Sequence, residues 1–393
     1  MPTLTSRLHL SEIAPSILQS EIRAMSVECD RAGGINLAQG ICDTELPPLV
    51  GEAATAAIAA GHNIYTRLDG ILPLRAAIAD KLATFNHLPV DPQTQVLVTS
   101  GATGALYASL LALLDPGDEV LLFEPFYGYH VNTLIGLRLR PVIVPLVEPD
   151  WTLDLEAVAR AITPRTRAIL INTPSNPCGK VFPPAELEAL AALALEHDLF
   201  VFSDEIYEYF LFDGARHLSI ATLPGMAERT ITISGLSKTF SITGWRIGYL
   251  AADPRWTGAI GYFHDLTYVC APAPFQYAAA SGLRQLAQTA FYTQIATEYQ
   301  AKRDQLCTAL GDAGLPPSNL PQGAYYILAD ASRIAGTTAA QKARALLRNT
   351  GIASVAGSAF FRPGHGEHLL RFCFGKRPED LDRACAQLRL NQP

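Results

Sequence analysis

Ala168-Ile-Leu-Ile-Asn172, then Pro183-Pro-Ala-Glu-Leu-Glu-Ala-Leu-Ala-Ala-Leu-Ala194, then Leu199-Phe-Val-Phe-Ser203: this stretch decides the fold class. Its first and third pieces are short apolar runs that turn polar only at their ends, the pattern of strands buried on both faces. The middle piece opens on two prolines and sets Leu187, Leu190, Ala191 and Ala194 at helical spacing, which puts proline in the first turn of a helix. Strand, helix and strand in succession predict a crossover unit of a parallel sheet. The same alternation extends outward through Gln95-Val-Leu-Val-Thr99, Glu119-Val-Leu-Leu-Phe123, Arg140-Pro-Val-Ile-Val-Pro145 and Thr230-Ile-Thr-Ile-Ser234. The expected class is α/β, a mostly parallel sheet between helices. Residues 283–393 read differently, with a polar helical stretch near Tyr292–Asp312 and strands at Gly323–Leu328 and Leu369–Phe374, and predict a smaller α+β domain.

In such sheets ligands bind beyond the carboxyl ends of the strands. Polar residues collect there: Ser100-Gly-Ala-Thr-Gly104, Glu124-Pro-Phe-Tyr-Gly128, Asn172-Thr-Pro-Ser-Asn-Pro-Cys-Gly179, Asp204-Glu-Ile-Tyr207 and Gly235-Leu-Ser-Lys238. A lysine in a desolvated cleft sheds its charge and becomes a nucleophilic amine, although a surface lysine is the commoner case. Asp204, after an apolar run, reads either as a helix N-cap or as a buried carboxylate that needs a partner. Ser100–Gly104 offers free N–H groups at a helix start, suited to phosphate or to simple capping. Arg246 could grip the same phosphate in bidentate fashion.

Composition narrows the function. The chain has 393 residues, 49% hydrophobic and 17% charged, which excludes disordered and fibrous classes. Its net charge is −7 with no basic cluster, so nucleic acid and anionic membrane are not expected partners. Seven cysteines without a CxxC pair predict reduced thiols, and the absence of a signal-like or long apolar segment predicts a soluble cytoplasmic protein. The motifs GxGxxG, GxxxxGK[ST], GxSxG and SxxK are all absent. His365-Gly-Glu-His368 lacks a third well-spaced ligand, so no metal is expected.

Asn176-Pro-Cys-Gly179, Ser203-Asp-Glu-Ile-Tyr207, Ser237-Lys-Thr239 and Gly244-Trp-Arg-Ile-Gly248, in that order, resemble the fold-type I pyridoxal-phosphate (PLP) enzymes, class I/II aminotransferases. Asn36-Leu-Ala-Gln-Gly40, Glu124-Pro-Phe-Tyr127 and Ala221–Ile233 look most like the kynurenine aminotransferase and glutamine transaminase K branch. The resemblance implies a large PLP-binding domain at 46–282 and a small domain built from 1–45 and 283–393. By the same resemblance Lys238 would hold PLP as a Schiff base, Asp204 would pair with the pyridine nitrogen, and Tyr207 and Asn176 would bond the phenolate oxygen. Tyr127 would stack on the ring. Gly101, Ala102, Thr103 and Arg246 would hold the phosphate, with Tyr65 reaching it across a homodimer interface. Arg371, with Asn176 and the backbone near Gly40, would grip the substrate carboxylate.

Departures from the pattern matter too. Gly235 stands where many relatives carry a phosphate-binding serine, so Ser234 or Ser237 is expected to substitute. Gly40-Ile-Cys-Asp43 replaces the usual Gly-Phe-Pro-Asp. No arginine lies in Thr267-Tyr-Val-Cys-Ala-Pro272, which disfavours dicarboxylic substrates. Tyr129, Tyr262, Phe263 and Tyr268 could favour an aromatic side chain, while Arg67 and His264-Asp265 could read a polar one. The expected activity is transfer of an α-amino group from an L-amino acid to a 2-oxo acid. Elimination, C–S lysis or cyclisation on the same catalytic residues is the alternative, and a non-catalytic regulator is a third reading that the intact lysine, aspartate and arginine oppose.

Overall fold

The computed structural model describes residues 8–17 and 21–390. Seven strands build the main sheet: β1 (Val96–Ser100), β2 (Glu119–Glu124), β3 (Arg140–Pro145), β4 (Thr166–Asn172), β5 (Phe200–Asp204), β6 (Thr230–Gly235) and β7 (Ile247–Ala251). Their order is β1-β7-β6-β5-β4-β2-β3. All neighbours run parallel except β7, which is antiparallel to both β1 and β6. The mostly parallel sheet expected from the apolar runs is therefore present, with one reversed strand that those runs did not include.

Alternation within each strand explains why both faces are covered. Val96 and Val98 of β1 pack with Tyr249 and Ala251 of β7 on one face, whereas Leu97 and Leu250 point to the other. In β2, Leu121 and Phe123 go to one side and Val120 and Leu122 to the opposite one. The helix Pro184–Glu196 buries Leu187, Leu190, Ala191 and Ala194, the four residues whose spacing announced it. Fully burying each of the two leucines stabilises by roughly 1.5–3 kcal/mol, and each alanine by less.

The chain ends meet beside this sheet. Ile35–Asn36 pairs in parallel with Ile352–Ala353, and Val355–Ala356, β9 (Leu369–Cys373) and β8 (Tyr326–Asp330) form a three-stranded antiparallel sheet in that order. β8 begins three residues later than the sequence pattern suggests, because Ala324 takes a left-handed φ of +58° that breaks the extended run. The helix Phe291–Asp312 spans 22 residues, matching the polar helical stretch. Among the described residues no helix is long and apolar enough to cross a membrane.

Candidate active site

The carboxyl ends of β5 and β6 and the loop after β4 open onto one cleft of about 450 Å3. Lys238 lies in the turn after β6, and its Nζ donates to the Gly40 carbonyl at 3.0 Å. Burial pulls its pKa down, with Arg246 and Arg371 adding to that and Cys42 and Cys373 opposing it. The shift favours the neutral amine, the form that nucleophilic or basic work requires.

Asp204 closes β5 and projects into the same cleft. Its Oδ2 is 2.9 Å from Nε2 of buried His130, and its Oδ1 accepts the Ile206 N–H at 3.3 Å. Tyr127 and Tyr129 stack with centroids 5.2 Å apart, and His130 meets the Tyr127 ring edge-on at 5.3 Å. Tyr207, Asn176 and Gly40 line the cleft beside them.

Arg371 comes from β9 and is wholly buried. Its Nη1 donates to Asn176 Oδ1 at 3.1 Å and its Nη2 to the Ala38 carbonyl, while Nε has no partner. Its guanidinium lies 4.5 Å from the Tyr326 ring centroid and 4.8 Å from that of Phe360. Among the described residues no carboxylate pairs with it. A buried cation held only by neutral groups and ring faces is a receptor for an anion.

At the other end of the cleft the helix Gly101–Leu113 begins directly after β1. Gly101 has φ +72°, and a Cβ there would stand 2.3 Å from Arg246 Nη2, so only glycine lets the guanidinium close over the helix start. Arg246 itself takes a left-handed φ of +58° and donates to the Thr243 carbonyl at 2.9 Å. Ala102, Thr103, Ser237 and Arg246 all line the cleft. Ser234 does not. It is buried behind the sheet, donating to Glu208 Oε1 at 2.8 Å, because its alternation along β6 turns it away from the cleft.

Other candidates lie elsewhere in this chain. Tyr65 is 81% exposed and outside the cleft. Arg67 forms a bidentate pair with Asp69, at 3.0 and 2.9 Å, so its charge is already committed. Tyr262 and Tyr268 are exposed and Phe263 packs partly against the strands, which leaves Tyr129 as the one of the four aromatic candidates in the cleft. His264 is buried, accepting the Ser100 N–H at 2.9 Å, and burial pulls its pKa down to about 4. His365 and His368 stand in an outer pocket, 3.8 Å from Glu124 and 3.9 Å from Glu148 respectively.

The sequence reading missed His130 and Tyr326. His130 follows Tyr127 by one helical turn, and that spacing was its only signal. Tyr326 was hidden beside Tyr325 in an apolar run. Ile22 and Arg23, from the helix Glu21–Ala32, also reach the cleft mouth, which no local pattern announced.

The model of the family described as aminotransferase class I and II matches residues 32–388. The chain is a class I and II aminotransferase. It is 39% identical over 376 residues to the probable N-succinyldiaminopimelate aminotransferase DapC of Mycobacterium tuberculosis, covering 93% of this chain and 94% of the relative. It is 36% identical to aromatic-amino-acid aminotransferase 2 of Thermococcus litoralis, over 95% and 96% of the two chains. The kynurenine–oxoglutarate transaminase of Dictyostelium discoideum is 34% identical, over 89% of each. The solved N-succinyldiaminopimelate aminotransferase of M. tuberculosis superposes with a TM-score of 0.93 at 38% identity, over 97% of this chain and 100% of the other. This aminotransferase is a PLP enzyme, as the class is, and acts on an amino acid and a 2-oxo acid. Its residues fit that cofactor: a glycine-built helix start with an arginine that has no acid partner among the described residues suits a phosphate, a desolvated lysine suits an aldehyde, and Asp204 suits a protonated ring nitrogen.

Proposed function

We propose that this aminotransferase takes an L-amino acid with an aromatic or other non-dicarboxylic side chain as amino donor. The observation that carries the amino-acid donor is Arg371, a buried cation that among the described residues has no carboxylate partner and faces the same cleft as Lys238. Arg371 binds the substrate α-carboxylate, with Asn176 and the backbone at Gly40 fixing its plane. The bound PLP supplies an electron sink that makes the substrate Cα proton acidic. Lys238 Nζ anchors the cofactor and then removes that proton. Asp204 holds the proton on the ring nitrogen, and His130 orients its carboxylate. Tyr207 and Asn176 donate to the ring oxygen, and Tyr127 covers the ring face. The N–H groups at Gly101, Ala102 and Thr103, with Ser237 and Arg246, hold the phosphate.

Tyr129 supports the aromatic preference by extending the Tyr127 stack toward the mouth, as do the names of the aromatic-amino-acid and kynurenine relatives. Tyr65 of the partner subunit completes the phosphate site in a homodimer. The exposed apolar side chains Ile64, Tyr65, Tyr262 and Leu266 support that assembly. The cytoplasm is the setting, and 46–282 and the 1–45 and 283–393 segments are the working domains, of which residues 1–7, 18–20 and 391–393 lie outside those described.

The test is an absorbance scan of the purified holoenzyme against single L-amino acids without keto acid, with mass detection of products. Conversion of the cofactor to its amine form with a matching 2-oxo acid supports the reading, and aromatic amino acids should respond at the lowest concentrations. Ammonia or a cyclised product with the cofactor unchanged overturns it in favour of elimination or cyclisation.

A further inference from the structure

The hydroxyls of Tyr207 and Tyr326 face each other at 2.9 Å, with both side chains buried. Tyr326 opens β8 opposite Cys373 of β9, and the Arg371 guanidinium lies 4.5 Å from its ring centroid. Its hydroxyl is pressed against Gly40: a Cβ at that position would stand 2.1 Å from the oxygen. The Gly40 carbonyl in turn receives Lys238 Nζ at 3.0 Å and the Tyr325 hydroxyl at 3.3 Å. One phenol therefore touches the arginine, the second phenol and the seat of the lysine.

Each hydroxyl has one proton, and among the described residues neither has another hydrogen-bond partner. One of the two must donate to the other. Burial pushes both phenols up; the Arg371 charge opposes this at Tyr326, whereas Asp204 adds to it at Tyr207. Tyr326 is thus the better donor and Tyr207 the better acceptor. Tyr207 then keeps its own proton for the cleft, and the accepted bond strengthens the one that it gives.

We propose that Tyr326 is a positioning residue that couples the carboxylate site at Arg371 to the Tyr207 proton facing the cofactor. The inference rests on the reading of Tyr207 as a donor to the cofactor's ring oxygen. A donor there draws negative charge away from the Lys238 nitrogen, which then loses its proton at lower pH. An anion on Arg371 neutralises the guanidinium, weakens Tyr326 as a donor and loosens the Tyr207 bond. Carboxylate binding is in this way felt at the lysine.

The experiment is a pH titration of cofactor absorbance in the wild-type, Tyr326→Phe and Tyr207→Phe holoenzymes, with and without the unreactive carboxylate 3-phenylpropanoate. Tyr207→Phe should move the transition to higher pH. Tyr326→Phe should move it the same way by about half a unit, and should shrink the further rise that 3-phenylpropanoate produces. A Tyr326→Phe protein that titrates with wild type while Tyr207→Phe shifts overturns the coupling and leaves the Tyr207 contact standing. If neither variant shifts, the contact assigned to Tyr207 falls and the coupling with it. A lowered melting temperature without a spectral shift also overturns it, since the hydroxyl then only packs.

Discussion

Asp204 and Glu205 are consecutive residues with opposite fates. Asp204 faces the cleft and among the described residues has one side-chain partner, His130. Glu205 turns into the protein, where Oε1 accepts from Ser203 and Ser219 and Oε2 from His217, each at 2.8 Å. Glu208 continues that inner network, receiving Lys81 Nζ at 2.5 Å, Asn86 Nδ2 and the Ser234 hydroxyl at 2.8 Å, and Tyr249 at 3.4 Å. Glu205, Glu208 and His217 place ligand atoms within 4.8 Å of one another, as a cation site would. Lys81 and the hydroxyls already fill that role, and the Lys81 charge keeps the Glu208 carboxyl below the usual range despite burial. The inner carboxylates Glu205 and Glu208 accept three and four side-chain bonds, whereas the cleft-facing Asp204 keeps bonding capacity for a ligand.

The sharpest way to break this contrast is to remove the cleft-facing groups. Lys238→Ala should abolish turnover together with the lysine-linked cofactor absorbance. Asp204→Ala should lower kcat on the order of 10³-fold with a small change in melting temperature. A variant of either kind that retains wild-type turnover removes its residue from the role assigned to it. Arg371→Ala should raise KM for the amino acid on the order of 10²-fold, by loss of charged hydrogen bonds to the carboxylate. An unchanged KM would place the carboxylate elsewhere.

The inner network should answer in stability instead. Lys81→Met strands the Glu208 carboxylate and should cost about 3–5 kcal/mol in denaturant unfolding, while the cofactor spectrum of the folded protein is unaltered. The double variant Lys81→Met, Glu208→Gln should recover most of that loss, because the unpaired charge is gone. No recovery would mean that the Lys81 ammonium is held by the Phe85, Tyr209 and Tyr249 rings, whose centroids lie 5.3, 5.4 and 5.8 Å from Nζ, more than by the Glu208 charge.

How legible each region was follows from the same contrast. Strands buried on both faces write themselves as continuous apolar runs, so β1 to β6 were readable from sequence. Ile247-Gly-Tyr-Leu-Ala251 was absorbed into the Gly244–Gly248 motif and not seen as β7; its reversed direction depends on pairing with β1, about 150 residues earlier, which no local pattern carries. The strand-end residues that meet in the cleft were legible because strand ends are where such sheets bind ligands. Ser234 was misjudged by position alone: one residue of alternation decides which side of the sheet a hydroxyl serves. His130 and Tyr326 act on partners 74 and 119 positions away, and such pairings appear only once the chain is folded.

His264 draws the comparison at its finest, because it is a buried group set directly beneath the cleft-facing helix start, with Nε2 bonded and Nδ1 without a partner among the described residues. Its Nε2 accepts the Ser100 N–H, which requires the neutral ring, and burial lowers its pKa from 6.5 to about 4 despite the opposing charge of Asp265. The unfolded chain binds a proton as pH falls through about 6.5, while the folded protein resists until about 4. Stability from this group is therefore complete above pH 6.5, declines as pH falls, and is gone below about 4, a loss on the order of 3 kcal/mol. Glu208, Asp213 and Asp253, whose pKa values are lowered below those of ordinary carboxyls, contribute at the acid end of this range. Above about pH 5 these three carboxyls contribute little, so the histidine's part is read between about pH 5 and 6.5 as the difference between wild type and a variant. His264→Gln keeps an acceptor for Ser100 and cannot titrate, so unfolding free energy measured across that interval should have a smaller slope than wild type. A slope equal to wild type would assign the acid sensitivity to another group and leave His264 as packing alone.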